Sequence, residues 1–235
     1  MHFVPLFTSL ISLVFAVTVL DQFFARRKPH QLLWAIGLFL YSLSAFTEFY
    51  WNQIGHVDFL FRIWYLLGAI LVAAYMGQGT IYLLMRRRNA NIFMVILGVA
   101  TLYAAVRIFT ANIDISGLTN LTGVGVLPSD IRFVVTPLLN IFGTFALVGG
   151  ALYSAFIFWR KRLFPNRVIA NILIAVGAML PAIGGTNLST GNSTNLFFVL
   201  ELCGVIIMFV GFLRTKEVFG FFRFPLIHGF EKVKT

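Results

Sequence analysis

The sequence predicts an all-α integral membrane protein: seven transmembrane helices in one bundle, N-terminus outside and C-terminus in the cytoplasm. Three observations predict it. First, 59% of the 235 residues are hydrophobic and only 11% are charged, and mean hydropathy is +0.90; soluble domains carry about 25% charged residues. Second, there are seven apolar runs, at about 3–24, 31–52, 59–85, 91–110, 132–159, 168–187 and 194–214. At ~1.5 Å per residue, each is helix enough to cross a hydrocarbon layer of ~30 Å. Third, the basic residues fall on alternate connections.

Of 18 Lys and Arg residues, 15 lie in four clusters: Arg26 to Lys28, Arg86 to Arg88, Arg160 to Arg167, and Arg214 to Lys234. The connections between spans 2 and 3, 4 and 5, and 6 and 7 hold none. By the positive-inside rule the four clusters are cytoplasmic, which sets the orientation and makes the cell membrane the expected location. The net charge of +10 is therefore a topology signal rather than a nucleic-acid footprint. Residues 1–215 form the transmembrane domain and 216–235 a basic, Phe-rich tail.

The runs are continuous and too long for barrel strands, and only helices satisfy their own backbone groups in lipid without closing a barrel. Asp58 to Arg88 is the most legible of them, opened by one acid and closed by three arginines. The long connection from Ala111 ends in Pro128-Ser129-Asp130, which reads as a turn and an N-cap for the fifth span. Gly143, Ala146, Gly149 and Gly150 in the fifth span, and Gly177, Ala178, Gly184 and Gly185 in the sixth, are spaced to let helix backbones approach. Pro137 and Pro181 predict bends in the same two helices. Asn120, Asn187 and Asn192 begin Asn-X-Ser/Thr triplets, readable either as glycan acceptors on exported loops or as ordinary loop composition.

Charged and polar groups at membrane depth carry a functional expectation. Glu48 lies near the outer end of span 2, Arg62 one turn into span 3, Arg107 near the outer end of span 4, and Glu201 two turns into span 7. Spans 2 and 3 are antiparallel neighbours, so Glu48 and Arg62 are expected at similar depth and in reach of each other; Arg132 can join that layer or pair with Asp130. Trp64, Tyr65 and Asn140 add polar and aromatic groups to the same half. Two readings stay open. The aromatics form an interfacial belt around a structural ion pair, or Glu48, Arg62, Trp64, Tyr65, Arg107, Asn140 and Glu201 line an outward-open site for a small anionic or lipid-like ligand.

Several classes are excluded. Lysines 28, 161, 216, 232 and 234 all lie outside the spans, so no Schiff base to retinal can form. Histidines 2, 30, 56 and 228 lie at membrane edges or in loops, which excludes paired ligation of a buried b-type haem. No His-Glu-x-x-His, Cys-x-x-Cys, phosphate loop or Gly-x-Ser-x-Gly is present. His56 with Asp58 lacks a third ligand for metal. The expectation is a protein without enzymatic activity and without a cofactor, although a carboxylate-only membrane hydrolase stays open.

Arg26-Arg27-Lys28-Pro29-His30 with Gln31-Leu32-Leu33-Trp34, Phe61-Arg62-Ile63-Trp64-Tyr65-Leu66-Leu67-Gly68-Ala69 and Gly79-Thr80-Ile81-Tyr82-Leu83-Leu84 resemble uncharacterised bacterial seven-helix membrane proteins. Residues 26–88 are also loosely similar to the seven-helix sensor regions of bacterial signalling proteins. The resemblance implies a receptor-like bundle and assigns no functional residue. No kinase or cyclase follows the seventh span, so signalling is expected to pass through a separate partner, with the tail as its docking site or as an anchor on inner-leaflet lipid. The expectation is a ligand-binding, sensor-like or accessory subunit. The alternatives are a small transporter of an anionic or lipid-like solute, and a structural subunit of a membrane complex.

Overall fold

The computed structural model describes residues 3–116, 118, 121–123, 125–162, 165–190 and 194–214. The tail beyond Arg214 and the triplets at Asn120 and Asn192 lie outside them. Among the described residues, seven helices are long and apolar enough to cross a membrane: α1 (Val4–Arg26), α2 (Pro29–Gln53), α3 (Asp58–Leu84), α4 (Arg87–Thr110), α5 (Ile131–Arg160), α6 (Pro165–Leu188) and α7 (Thr194–Arg214). They match the seven apolar runs to within a few residues.

Helix starts follow local chemistry. Proline opens α1, α2 and α6, where its missing N–H costs nothing and its fixed φ suits the first turn. Lys28, before Pro29, is extended at ψ 128°, the conformation that a following proline favours. Arg27 ends α1 in the left-handed region at φ 52°, its N–H returning to the Phe23 carbonyl at 2.7 Å. Its guanidinium lies over the rings of Phe23 and Phe24, 5.7 and 5.5 Å from their centroids. A two-residue connection thus reverses the chain.

Six helices close a ring. α1 packs on α2, α2 on α3, α3 on α5, α5 on α6, α6 on α7, and α7 returns to α1. α4 stands outside that ring, against α3 and α5. Its most apolar stretch is 17% buried, against 56% in α2, so its apolar residues face the surroundings on most sides. Two cores fill the bundle. One, at the end carrying the basic-poor connections, gathers Trp51, Phe61, Trp64, Tyr65, Ile108, Ile131, Phe197 and Phe198. The other holds Phe15, Val19, Leu38, Tyr41, Met76, Val205, Met208 and Phe212.

The small residues divide into two sets. A Cβ on Gly77 would lie 2.6 Å from Gly143, and one on Gly143 would strike the backbone of Ala73, so α3 and α5 meet backbone to backbone. Gly177 and Gly204 do the same for α6 and α7, where an added Cβ on either would come within 2.7 Å of the other's carbonyl oxygen. Gly149 and Gly185 meet nothing within 4 Å and lie at no helix contact, which corrects their reading as packing residues.

Three wide π turns interrupt the spans, at Tyr65–Leu71, Ile131–Val135 and Phe145–Gly149. The second has a local cause. Pro137 cannot donate to the carbonyl of Phe133, and the ladder widens in the preceding turn. Pro181 lies inside α6 with its ring against Gly204 of α7. Within the expected turn and N-cap at Pro128-Ser129-Asp130, Asp130 makes no capping bond through its side chain; its carboxylate is taken by α4. Asn187 lies in the last turn of α6 rather than in a loop, with Oδ1 buried.

Candidate functional site

The structure describes all seven candidate residues. They fall into four groups, each held by different elements.

Glu48, Trp64 and Glu201 come together where the two cores meet. Glu48 on α2 is 1% exposed and Glu201 on α7 is 6% exposed. The indole Nε1 of Trp64 donates to Glu48 Oε1 at 2.8 Å. The carboxyl groups of Glu48 and Glu201 are near enough to act on each other electrostatically, and Tyr41 donates its hydroxyl to the backbone carbonyl of Glu201 at 3.2 Å. Asn52 Nδ2 donates to the Glu48 carbonyl at 2.8 Å, fixing that turn of α2. Among the described residues neither carboxylate has an ion pair, and Oε2 of each receives no N–H or O–H donor.

The expected Glu48–Arg62 pair is absent. Arg62 donates from Nε to Asp58 Oδ2 at 2.7 Å, and from Nη1 to the carbonyls of Ile108 and, at 2.9 Å, Ala111. Asp58 lies one turn away on the same face, nearer the end of the bundle, where a long basic side chain reaches out of the apolar layer. The two carbonyls sit at the end of α4, where no following turn supplies donors. One guanidinium therefore closes the end of α4 as well as the first turn of α3. The same geometry removes Asp58 from the weak metal set. His56 stacks instead on the Trp51 ring, with centroids 4.2 Å apart.

Arg107 faces away from the ring. It holds Asp130 in a bidentate pair, Nε to Oδ2 at 2.7 Å and Nη2 to Oδ1 at 2.9 Å, joined by the Tyr103 hydroxyl at 2.7 Å. Arg107, then Tyr103, hold the Asp130 carboxyl well below the usual carboxylate range. The side chains are 40% and 31% exposed, so this is a surface clasp across the long 111–130 connection. Arg132 does not compete for Asp130; its guanidinium lies over the Phe133 ring, 4.9 Å from the centroid.

Tyr65 and Asn140 brace the π turn of α3. Asn140 Nδ2 donates to the Ala69 carbonyl at 2.6 Å and to Thr136 O at 3.0 Å. Tyr65 shares a hydrogen bond of 3.2 Å with Thr136 Oγ1, and its ring meets Trp64 edge-on at 5.8 Å. One carbonyl of the wide turn, Ala69 O, thus finds a donor on α5, as a dry interior favours.

Asp58, Tyr41 and Thr136 are site residues that sequence reasoning did not assign. Asp58 to Arg62 and Thr136 to Asn140 are both four apart, a spacing that marks helical neighbours. Nothing in the sequence links Tyr41 to residue 201. Separately, Thr144, Met179, Ala182, Ile183, Thr186, Asn187 and Thr190 line an open cavity of about 440 Å³ between α5 and α6. Comparisons with protein families, with curated proteins and with solved structures returned no match to this chain.

Proposed function

We propose that the chain is a non-enzymatic multi-pass protein of the cell membrane, N-terminus outside, serving as a sensor-like ligand-binding subunit. The observation that carries this reading is the position of Arg62. Its guanidinium holds a half-exposed carboxylate, Asp58, and two carbonyls closing α4, one turn before the π stretch Tyr65–Leu71. A small anion arriving from the outer side competes with Asp58 for Nε, as an external carboxylate or phosphate replaces an internal one. The exchange frees the first turn of α3, and the braced π turn below it is the bistable element. Wide turns of this kind occur often at functional positions. α3 then carries the change to Arg86–Arg88 at its cytoplasmic end, where a separate partner reads it.

Native mass spectrometry of protein purified in mild detergent, with an absorption spectrum of the same sample, tests the reading. A stoichiometric bound mass, lost in Arg62→Ala while helix content is unchanged, is the expected result. A wild-type protein without bound mass after exposure to small anions, or a mass kept by Arg62→Ala, overturns it.

A second reading, a transporter of a lipid-like solute, is favoured by the open cavity between α5 and α6, whose walls combine Met179, Ala182 and Ile183 with Thr144, Thr186 and Asn187. Flux of such a solute into proteoliposomes, abolished by Glu201→Gln, would decide for it.

A further inference from the structure

We propose that Glu48 and Glu201 form a proton-binding site, a hydrogen-bonded carboxyl pair that keeps a proton inside the bundle at neutral pH and joins α2 to α7 across the ring. The site does not depend on Arg62 or on any ligand of the outer layer.

Two ionised carboxylates offer only acceptors, so neighbours at hydrogen-bonding reach cannot bond to each other without a proton between them. The alternatives to a proton are missing here. No Lys, Arg or His among the described residues forms an ion pair with either group. The groups presented to the pair are Trp64 from α3, already donating to Glu48 Oε1, and Tyr41 from α2, whose hydroxyl hydrogen is spent on the Glu201 carbonyl. At 1% and 6% exposure the two groups are withdrawn from the bulk solvent that screens like charges, whose repulsion grows as the local dielectric falls. One proton resolves all of this. It turns an acceptor into a donor, gives a buried Oε2 its missing partner, and removes a charge.

The geometry also gives the proton a structural consequence. α2 and α7 are not neighbours in the ring, since α1 stands between them. Beside core packing around Tyr41, Val205 and Met208, the hydrogen bond from Tyr41 to Glu201 O holds the two helices together, and the carboxyl pair would be a second link. Loss of the proton sets two like charges against each other where the two cores meet, and drives α7 from α2.

Infrared difference spectroscopy reads the proton directly. The chain has four glutamates: 48, 201, 217 and 231. Glu217→Gln/Glu231→Gln leaves the pair as the sole glutamates. Protein of that background, grown with ¹³C-glutamate and measured at neutral pH, is expected to show a label-sensitive C=O stretch of a protonated carboxyl. Ordinary carboxyls are ionised there, with a value of about 4.3 for glutamate. Label-sensitive intensity confined to carboxylate stretches overturns the proposal, and a shift of those stretches with sodium would instead mark a cation site. In the same background, Glu201→Gln should change the frequency of any remaining Glu48 acid band, because its hydrogen-bond partner has changed. An unchanged frequency would show a lone protonated acid and overturn the shared site.

Discussion

Trp64 Nε1 lies 2.8 Å from Glu48 Oε1, a direct polar tie between α2 and α3 inside a bundle whose contacts are otherwise mostly apolar. Trp64→Phe keeps an aromatic ring but removes the donor, leaving one more buried carboxyl oxygen without a partner. Stranding a buried acceptor costs about 1–3 kcal/mol. Glu48→Gln keeps the Oε1 acceptor for Trp64 and adds an amide donor facing Glu201, so its cost should stay below about 1 kcal/mol. Thermal unfolding in detergent should place Trp64→Phe well below Glu48→Gln; equal melting temperatures would remove the tie as a stabilising contact.

Arg62 gives a second contrast. Arg62→Ala strips the donors from Ile108 O and Ala111 O and leaves Asp58 without its partner, and charge-assisted hydrogen bonds at a 12% exposed side chain contribute about 1.5–3 kcal/mol. Asp58→Asn removes the more exposed member, and surface pairs contribute about 0–1 kcal/mol. The charge swap Glu48→Arg/Arg62→Glu should not rescue either single reversal, because these two residues share no contact. Rescue in melting temperature would restore the pairing expected from sequence.

What the sequence made legible was set by its strongest forces. Span number and register follow from unbroken apolar runs, because every long stretch of backbone in a dry layer must hydrogen-bond to itself. The ring order does not follow, and neither does the position of α4 outside it, since lipid-facing and helix-facing apolar residues look alike in a sequence. Of the polar residues, depth was readable and direction was not. Glu48 and Arg62 do lie near the same end, but a helix face is decided by 100° per residue, and Arg62 points to α4 while Glu48 points into the ring. The partner of Glu201 was hidden for the opposite reason: two acids 153 positions apart in the chain give no signal of attraction. Pro128-Ser129-Asp130 read as a turn and cap because Ser and Asp both favour N-caps, but the bidentate fork of Arg107 holds the Asp130 carboxylate instead.

The Arg107–Asp130 clasp predicts an acid sensitivity. Its carboxyl is held below the usual range, chiefly by Arg107 and then Tyr103. The folded value lies under the unfolded one, of about 3.9. The stabilisation is therefore complete at neutral pH, declines below about pH 5, and is lost as pH falls through the folded value. Asp130→Asn should lower the melting temperature slightly at pH 7 and flatten its fall between pH 5 and 3. A variant that melts in parallel with the wild type across that range would show that the clasp contributes nothing.

The glycines of α5 supply the sharpest steric test, because two of them six residues apart meet opposite surroundings. Gly143 lies against the Ala73 backbone of α3 with no room for a methyl group, and nothing flexible is there to yield. Gly143→Ala must separate α3 from α5, stretching the Asn140 bond to Ala69 one turn away. Overpacking of this kind costs about 1–3 kcal/mol. Gly149 meets nothing within 4 Å, so alanine there meets no clash and gains the intrinsic helix preference, about 0.5–1 kcal/mol. Gly143→Ala should lower the melting temperature by several degrees, and Gly149→Ala should hold or raise it. Because Asn140 braces the π turn of α3, Gly143→Ala should also speed amide exchange at residues 65–71, an effect Gly149→Ala should lack. If both variants exchange alike, the α3–α5 contact does not govern that turn, and the route from Arg62 along α3 would have to run elsewhere.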